Sequence, residues 1–197
     1  MLSGRGSNFL ALYRDSLLPD APYRIELVFS DRPEAPGLAH AKRLGLPTHT
    51  ATPRQFPGKT AYERALIALL REHHIDLVCL AGYMRIVGAE LLAAFPQRLL
   101  NIHPALLPAF PGLHAQRQAM EHGVRISGCT VHFVDAGTDN GPIVAQAAVP
   151  VMDGDTEETL SIRILEQEHL LYPQALRRIC RGDWCIEDRR VIPDRAT

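Results

Sequence analysis

The sequence predicts an α/β protein built on a doubly wound, mainly parallel sheet, with a mixed C-terminal extension and a long C-terminal helix. Three observations carry that expectation. Short apolar runs of strand length alternate with helically spaced segments through the first two-thirds of the chain. Two longer β-like runs then flank one polar turn, which is the pattern of a hairpin or mixed-sheet extension. A long helix-like segment opening with a capping signal follows and ends at a glycine.

Taken in order, Ser3-Gly4-Arg5-Gly6-Ser7-Asn8-Phe9 reads as a strand-to-helix turn, yet only Met1 and Leu2 precede it. A first strand normally takes about five residues, so the sequence predicts either a truncated start or a stub strand. Arg24 to Ser30 reads as a strand and Gly37 to Leu44 as a short helix. Ala61 to His73 is helically spaced and leads into a strand from Asp76 to Ala81. Leu99 to Ile102 is a further buried strand. Arg125 to Val134 and Ile143 to Val151 are the longer runs, joined by Asp135 to Pro142. A helix opening at Asp155, with Glu158 completing a capping box, is predicted to reach about Cys180. Arg177, Arg178 and Arg181 suit its negative end, and Gly182 is the stop. Strand-like Trp184 to Ile186 and Val191-Ile192 finish the chain. No repeat, low-complexity tract or linker interrupts residues 1–197, which predicts a single domain.

Composition excludes several function classes. A formal net charge of −1 provides no positive field for nucleic acid or an anionic membrane. No apolar stretch approaches the ~20 residues of a membrane span. Cys79, Cys129, Cys180 and Cys185 lack metal-site spacing, and the expectation is structural thiols in a reducing cytoplasm with no metal.

The densest polar chemistry is Asn101-Ile102-His103-Pro104. In an extended backbone Asn101 and His103 share one side and Ile102 takes the other. They stand where a doubly wound sheet presents its site, at the end of a buried strand. An amide NH₂ beside an imidazole can stabilise and protonate an oxyanion. The same pair would also serve as a strand-end cap and a satisfied histidine. Asp139, in the turn Thr138 to Pro142, would raise the His103 pKa and keep it protonated near neutral pH if the loop folds back over it; alone it is an ordinary turn residue. The Ser3 to Asn8 turn could wrap a phosphate with backbone amides at a helix N-terminus. Ile164, Glu168, Leu171, Tyr172 and Ala175 share one helix face, so Glu168 either reaches a ligand or marks the edge of the stripe. His132 reads as structural first and site-lining second.

These motifs resemble the phosphoribosylglycinamide formyltransferases, the folate-dependent enzymes of purine biosynthesis with a Rossmann-like formyltransferase fold. The resemblance covers nearly the whole chain and runs through Ser3 to Asn8, Ala81 to Ile86, Leu100 to Pro108 and Phe110 to His114. It continues through Val131 to Val134, Asp139 to Ile143 and Gln167 to His169. It implies glycinamide ribonucleotide and 10-formyltetrahydrofolate as substrates. It places Gly6, Ser7 and Asn8 on the phosphate and Glu168 on the ribose or glycinamide part. Lys59, Met84, Arg85, Ile86, Val87 and Asn101 would contact the folate, and Asn101, His103 and Asp139 would be catalytic. Lys59 departs from the family's frequent arginine, keeping the charge and losing the planar fork. The expected protein is a cytoplasmic monomer or homodimer with small-molecule partners. A deformylating hydrolase and a tRNA formyltransferase share parts of the motif, but each carries an extra domain not expected here. A nucleotide-binding module would need the phosphate turn without the Asn101, His103 and Asp139 set.

Overall fold

Residues 1–194 are described by a computed structural model. Its backbone forms two compact units, one spanning Met1–Leu100 and the other beginning at Asn101.

In the first unit, helix α1 (Ser7–Ser16) leads to strand β1 (Val28–Ser30), helix α2 (Pro36–Arg43) and strand β2 (Thr48–Thr50). β1 and β2 pair in parallel, Val28 opposite Thr48 and Ser30 opposite Thr50, so β1-α2-β2 is one crossover unit. Helix α3 (Lys59–Glu72), strand β3 (Val78–Leu80) and helix α4 (Ala89–Ala94) follow. The strand expected from Arg24 shrinks to its last three residues. Only these find neighbours, while Arg24 and Glu26 pair with each other at the surface. At the start, where a truncated or stub strand was expected, a single bridge forms. Leu2 bridges Ser30 in parallel, its amide donates to the Phe29 carbonyl (2.9 Å), and the Ala81 amide donates to the Met1 carbonyl (2.8 Å). Leu2 is fully buried. Two residues thus anchor the turn that follows them.

Strand β4 (Leu99–His103) carries the chain into the second unit, where helix α5 (Ala115–Glu121) and strands β5 (Ile126–Phe133) and β6 (Ile143–Pro150) come next. β5 and β6 form the expected antiparallel hairpin. Their register runs evenly from Ile126 opposite Pro150 to Val131 opposite Ala145, then slips so that His132 faces Ile143. Helix α6 (Glu157–Arg181) lays Leu160, Ile164, Leu171, Tyr172, Leu176 and Ile179 over β5 and β6. Strands β7 (Trp184–Glu187) and β8 (Arg190–Pro193) complete the order β4-β5-β6-β8-β7, with β8 parallel to β6 and antiparallel to β7.

One expectation moves by a residue. The α6 capping box is Thr156 with Thr159, not Asp155 with Glu158: Thr156 Oγ1 accepts from the Thr159 amide (3.2 Å) and Thr159 Oγ1 accepts from the Thr156 amide (2.9 Å). Asp155 is engaged elsewhere, pairing with both Arg163 nitrogens (2.7 and 2.9 Å) and accepting from the Met152 amide. At the far end Gly182 stops the helix in a left-handed conformation, φ 82°. Among the described residues no helix is long and apolar enough to cross a membrane.

Candidate active site

The site is built from the end of β4 and two loops of the same unit. Asn101 and His103 project to one side of β4, as their alternation requires, and Asp139 reaches both. Asn101 Nδ2 donates to Asp139 Oδ1 at 3.3 Å, and His103 Nδ1 lies 3.2 Å from Asp139 Oδ2. The turn does fold back over His103. Gly141 makes this possible, since its Cα sits where a side-chain carbon would lie only 1.8 Å from the Phe133 carbonyl oxygen. The close approach seats the turn directly on the end of β5.

The loop after β4 supplies two backbone groups. Phe110 accepts at its carbonyl from His103 Nε2 (2.8 Å), and the Gly112 amide donates to Asp139 Oδ2 (2.8 Å). This loop is tied down by Thr130 and Gln146. The Leu107 amide donates to Thr130 Oγ1 (3.0 Å), Thr130 donates to the Ala105 carbonyl (2.7 Å), and Gln146 Nε2 donates to the Leu107 carbonyl (2.9 Å).

His132 belongs to the same cluster. Its Nδ1 faces the Phe133 carbonyl (2.8 Å) and therefore carries hydrogen, which leaves Nε2 of the neutral ring to accept from Asn101 Nδ2 (3.1 Å). Both amide hydrogens of Asn101 are thus engaged, one on His132 and one on Asp139. Reversing the amide would set its oxygen against two acceptors, so the nitrogen belongs where it stands. The site-lining reading of His132 is the one the geometry favours. The register slip beside it is the device that re-aims a strand residue near a site.

The electrostatics correct one expectation. Burial pushes the His103 pKa below the usual histidine range, against the Asp139 charge and the Phe110 carbonyl, which both favour the protonated ring. His103 is 5% exposed, and desolvation outweighs its acceptors. Asp139 does pull in the expected direction but does not hold the ring protonated near neutral pH. Burial also pushes the Asp139 carboxyl up, yet the neighbouring His132 ring, the Gly112 amide and the His103 ring together outweigh it and hold it below the usual carboxylate range.

Glu168 lies on α6 within its buried stripe, 6% exposed, rather than at an open edge. It stands close enough to Cys129 that burial, with the Glu168 charge second, pushes that thiol up to about 12. In the first unit, Gly6 opens α1 at φ 78°, and a side chain there would meet the Gly37 backbone at 2.7 Å. Ser7 and Asn8 begin the helix behind it. Met84, Arg85, Ile86 and Val87 form a loop after β3. Met84 and Ile86 are well exposed, Arg85 lies 3.6 Å from Asp31 Oδ2, and Val87 is turned inward. Lys59 opens α3 with its side chain against Gly88, just past that loop.

The formyl transferase family model matches residues 1–176. The chain belongs to the formyl transferase family, among the phosphoribosylglycinamide formyltransferases. It is 41% identical over 177 residues to the phosphoribosylglycinamide formyltransferase of Bacillus subtilis (strain 168), covering 90% of this chain and 91% of the relative. Its fold matches the crystal structure of glycinamide ribonucleotide transformylase 1 from Symbiobacterium toebii with a TM-score of 0.95 and 53% identity, over 98% of this chain and 91% of the other. The trifunctional purine biosynthetic protein adenosine-3 of Drosophila pseudoobscura pseudoobscura is 43% identical over 185 residues. That match takes in 92% of this formyltransferase chain but spans only 14% of the relative.

Proposed function

We propose that this chain transfers the formyl group of 10-formyltetrahydrofolate to the amine of N1-(5-phospho-D-ribosyl)glycinamide, in purine biosynthesis, as a cytoplasmic enzyme with small-molecule partners. The observation that carries the reading is the convergence of Asn101, His103 and Asp139 in a chain of this family: two hydrogen-bond donors and a carboxylate within 3.3 Å contacts.

The amine lone pair attacks the formyl carbon, and the carbonyl electrons move onto oxygen. Asn101 Nδ2–H and His103 Nε2–H are the donors for that oxyanion. Asp139 stabilises the positive charge His103 gathers as it donates. The carbonyl re-forms as the bond to the folate nitrogen breaks, and the proton shed by the attacking nitrogen is regained by the departing one. The chemistry asks for no metal. Gly6, Ser7 and Asn8 are the groups for the ribonucleotide phosphate, because amides at the start of α1 favour an anion. Glu168 is assigned to the ribose or glycinamide part. Lys59 and Met84 to Val87 are assigned to the folate; the exposed apolar Met84 and Ile86 side chains fit the flat face of a pterin.

The test mixes protein, glycinamide ribonucleotide and 10-formyltetrahydrofolate and follows folate absorbance. Signal requiring both substrates supports the transferase, and signal with folate alone marks a hydrolase. His103→Ala is expected to lose at least about 10²-fold in kcat with substrate binding retained, the usual cost of one oxyanion donor. Near wild-type turnover by that variant would overturn the mechanism.

A further inference from the structure

Two buried carboxylates in the first unit stand outside the proposed catalytic set, and both end on the same short segment. Asp31 follows β1 and is 5% exposed; Glu63 lies on α3 and is 4% exposed. Glu63 interrupts the buried face of its helix, among Tyr62, Leu66, Ile67 and Leu70. A carboxylate there is unfavourable unless hydrogen-bonded. Its partner is the backbone amide of Gly88, which donates to Oε1 at 2.5 Å. A side chain at Gly88 would fall 2.6 Å from both carboxylate oxygens, so the two groups occupy the closest approach a glycine permits.

Asp31 reaches the other end through Ser3. A carboxylate only accepts, so the Ser3 hydroxyl hydrogen must point to Asp31 Oδ1, 2.5 Å away. That direction leaves Ser3 Oγ free to accept from the Met84 amide (2.9 Å). The Ser3 amide also donates to the Gly82 carbonyl (2.9 Å), and the Tyr62 and Tyr83 hydroxyls meet at 2.8 Å. Between these ties, Met84 and Ile86 stand out into solvent. The segment is therefore pinned at Met84 and at Gly88 while its middle presents open side chains. That is the arrangement of a preformed cradle, where the ordering cost is met before the ligand arrives.

We propose that Glu63, and Asp31 acting through Ser3, are positioning residues for the formyl donor, fixing the backbone of Met84 to Gly88 in the shape that binds it. The inference rests on the folate reading of Met84 to Val87. Neither carboxylate is assigned a contact with substrate: Glu63 acts through the Gly88 amide, and Asp31 through Ser3 on the Met84 amide and through its 3.6 Å ion pair with Arg85.

The test measures KM for each substrate, kcat, and the dissociation constant of 10-formyltetrahydrofolate by calorimetry, in wild type and Glu63→Ala. The expected result is a rise of about tenfold in KM and dissociation constant for the formylfolate, from the lost acceptor of a pinned amide. KM for glycinamide ribonucleotide and kcat should stay within about twofold. Glu63→Gln keeps an oxygen for the Gly88 amide and should restore folate binding to within about threefold. Ser3→Ala should reproduce the folate-selective rise, and it decides the question if Glu63→Ala does not fold. Unchanged folate binding in these variants, or both KM values rising together, overturns the proposal. Wild type that binds no formylfolate defeats the folate reading and this proposal with it. Wild type that binds while every variant binds equally well defeats the proposal alone.

Discussion

Replacing Asp139 by asparagine tests the site at its centre with the least disturbance. Asp139 holds φ 48°, a left-handed conformation that asparagine adopts as readily as aspartate, so the turn keeps its path. The new amide has one oxygen to place. Turned toward Gly112, it keeps the 2.8 Å bond from that amide; turned away, it sets two donors against each other there. The oxygen therefore goes to Gly112, and the NH₂ takes the position of Oδ1. That leaves the Asn101 hydrogen, formerly 3.3 Å from a carboxylate oxygen, facing another donor. It also removes the charge 3.2 Å from His103 Nδ1.

Hydrogen bonds to charged groups contribute about 1.5–3 kcal/mol. The Asn101 contact is lost outright, while the oxygen kept for Gly112 stays opposite His103 Nδ1 but without its charge; both contacts are long, which puts each loss near the lower figure and their sum near 3 kcal/mol. At about 1.4 kcal/mol per decade, kcat should fall roughly 10²-fold. KM for either substrate should move less than about threefold, because both contacts act on the reacting oxygen and the ring beside it. Folate absorbance at saturating substrates gives kcat, and a thermal melt confirms that the variant is folded. A loss under about fivefold, or a loss appearing in KM instead of kcat, would refute the placement of Asp139 behind His103.

Two further perturbations follow from the same geometry. The folded-state pKa of His103 lies below its ordinary 6.5, so the unfolded chain takes up that proton first; the stability from the neutral ring is full above about 6.5 and is lost as pH falls toward the folded value. Asp139, depressed below 3.8, adds a second loss at lower pH, in the same direction. Thermal melts from pH 7 to 5 should show a falling midpoint, with a shallower slope in His103→Asn; equal slopes would show that His103 is not the group responsible. Gly141→Ala must push the Asp139 turn off the Phe133 carbonyl, at about 1–3 kcal/mol of strain or a few degrees of Tm, with kcat falling alongside. A variant that melts lower with kcat unchanged would show that the turn's seating does not govern the site.

The alternation in Asn101-Ile102-His103 was legible because β4 gives its two sides different chemistry, and strand geometry converts that spacing into a shared face. The hairpin of β5 and β6 and the Gly182 stop were legible for the same local reason. His132 was not. Residues Ser127 to Phe133 are all buried, so both faces of β5 look alike in the sequence, and the register slip that turns His132 toward Asn101 leaves no pattern in residue type. The His103 pKa was misjudged because its sign depends on how deeply the ring is buried, and spacing along a chain carries no measure of desolvation. The opening was expected to be either a truncated start or a stub strand; the two residues present are held by partners at Phe29 and Ala81, far along the sequence.

On the proposed reaction, the closed state of the network also orders the events. Neither donor is idle: Asn101 gives both hydrogens to internal acceptors, and His103 Nε2 is held by Phe110. An oxyanion must win a hydrogen from one of them. The Asn101 contact to Asp139, at 3.3 Å, is the longest and the least costly to exchange, and Asp139 keeps the Gly112 amide when it is lost. The His103 contact at 2.8 Å yields only if the Phe110 carbonyl turns aside. Phe110 sits at φ 54°, a conformation a non-glycine residue occupies at a cost, so relaxing it offsets part of that exchange. Asn101 is therefore the first donor delivered, and His103 the second, once charge has built on the formyl oxygen to draw it from Phe110.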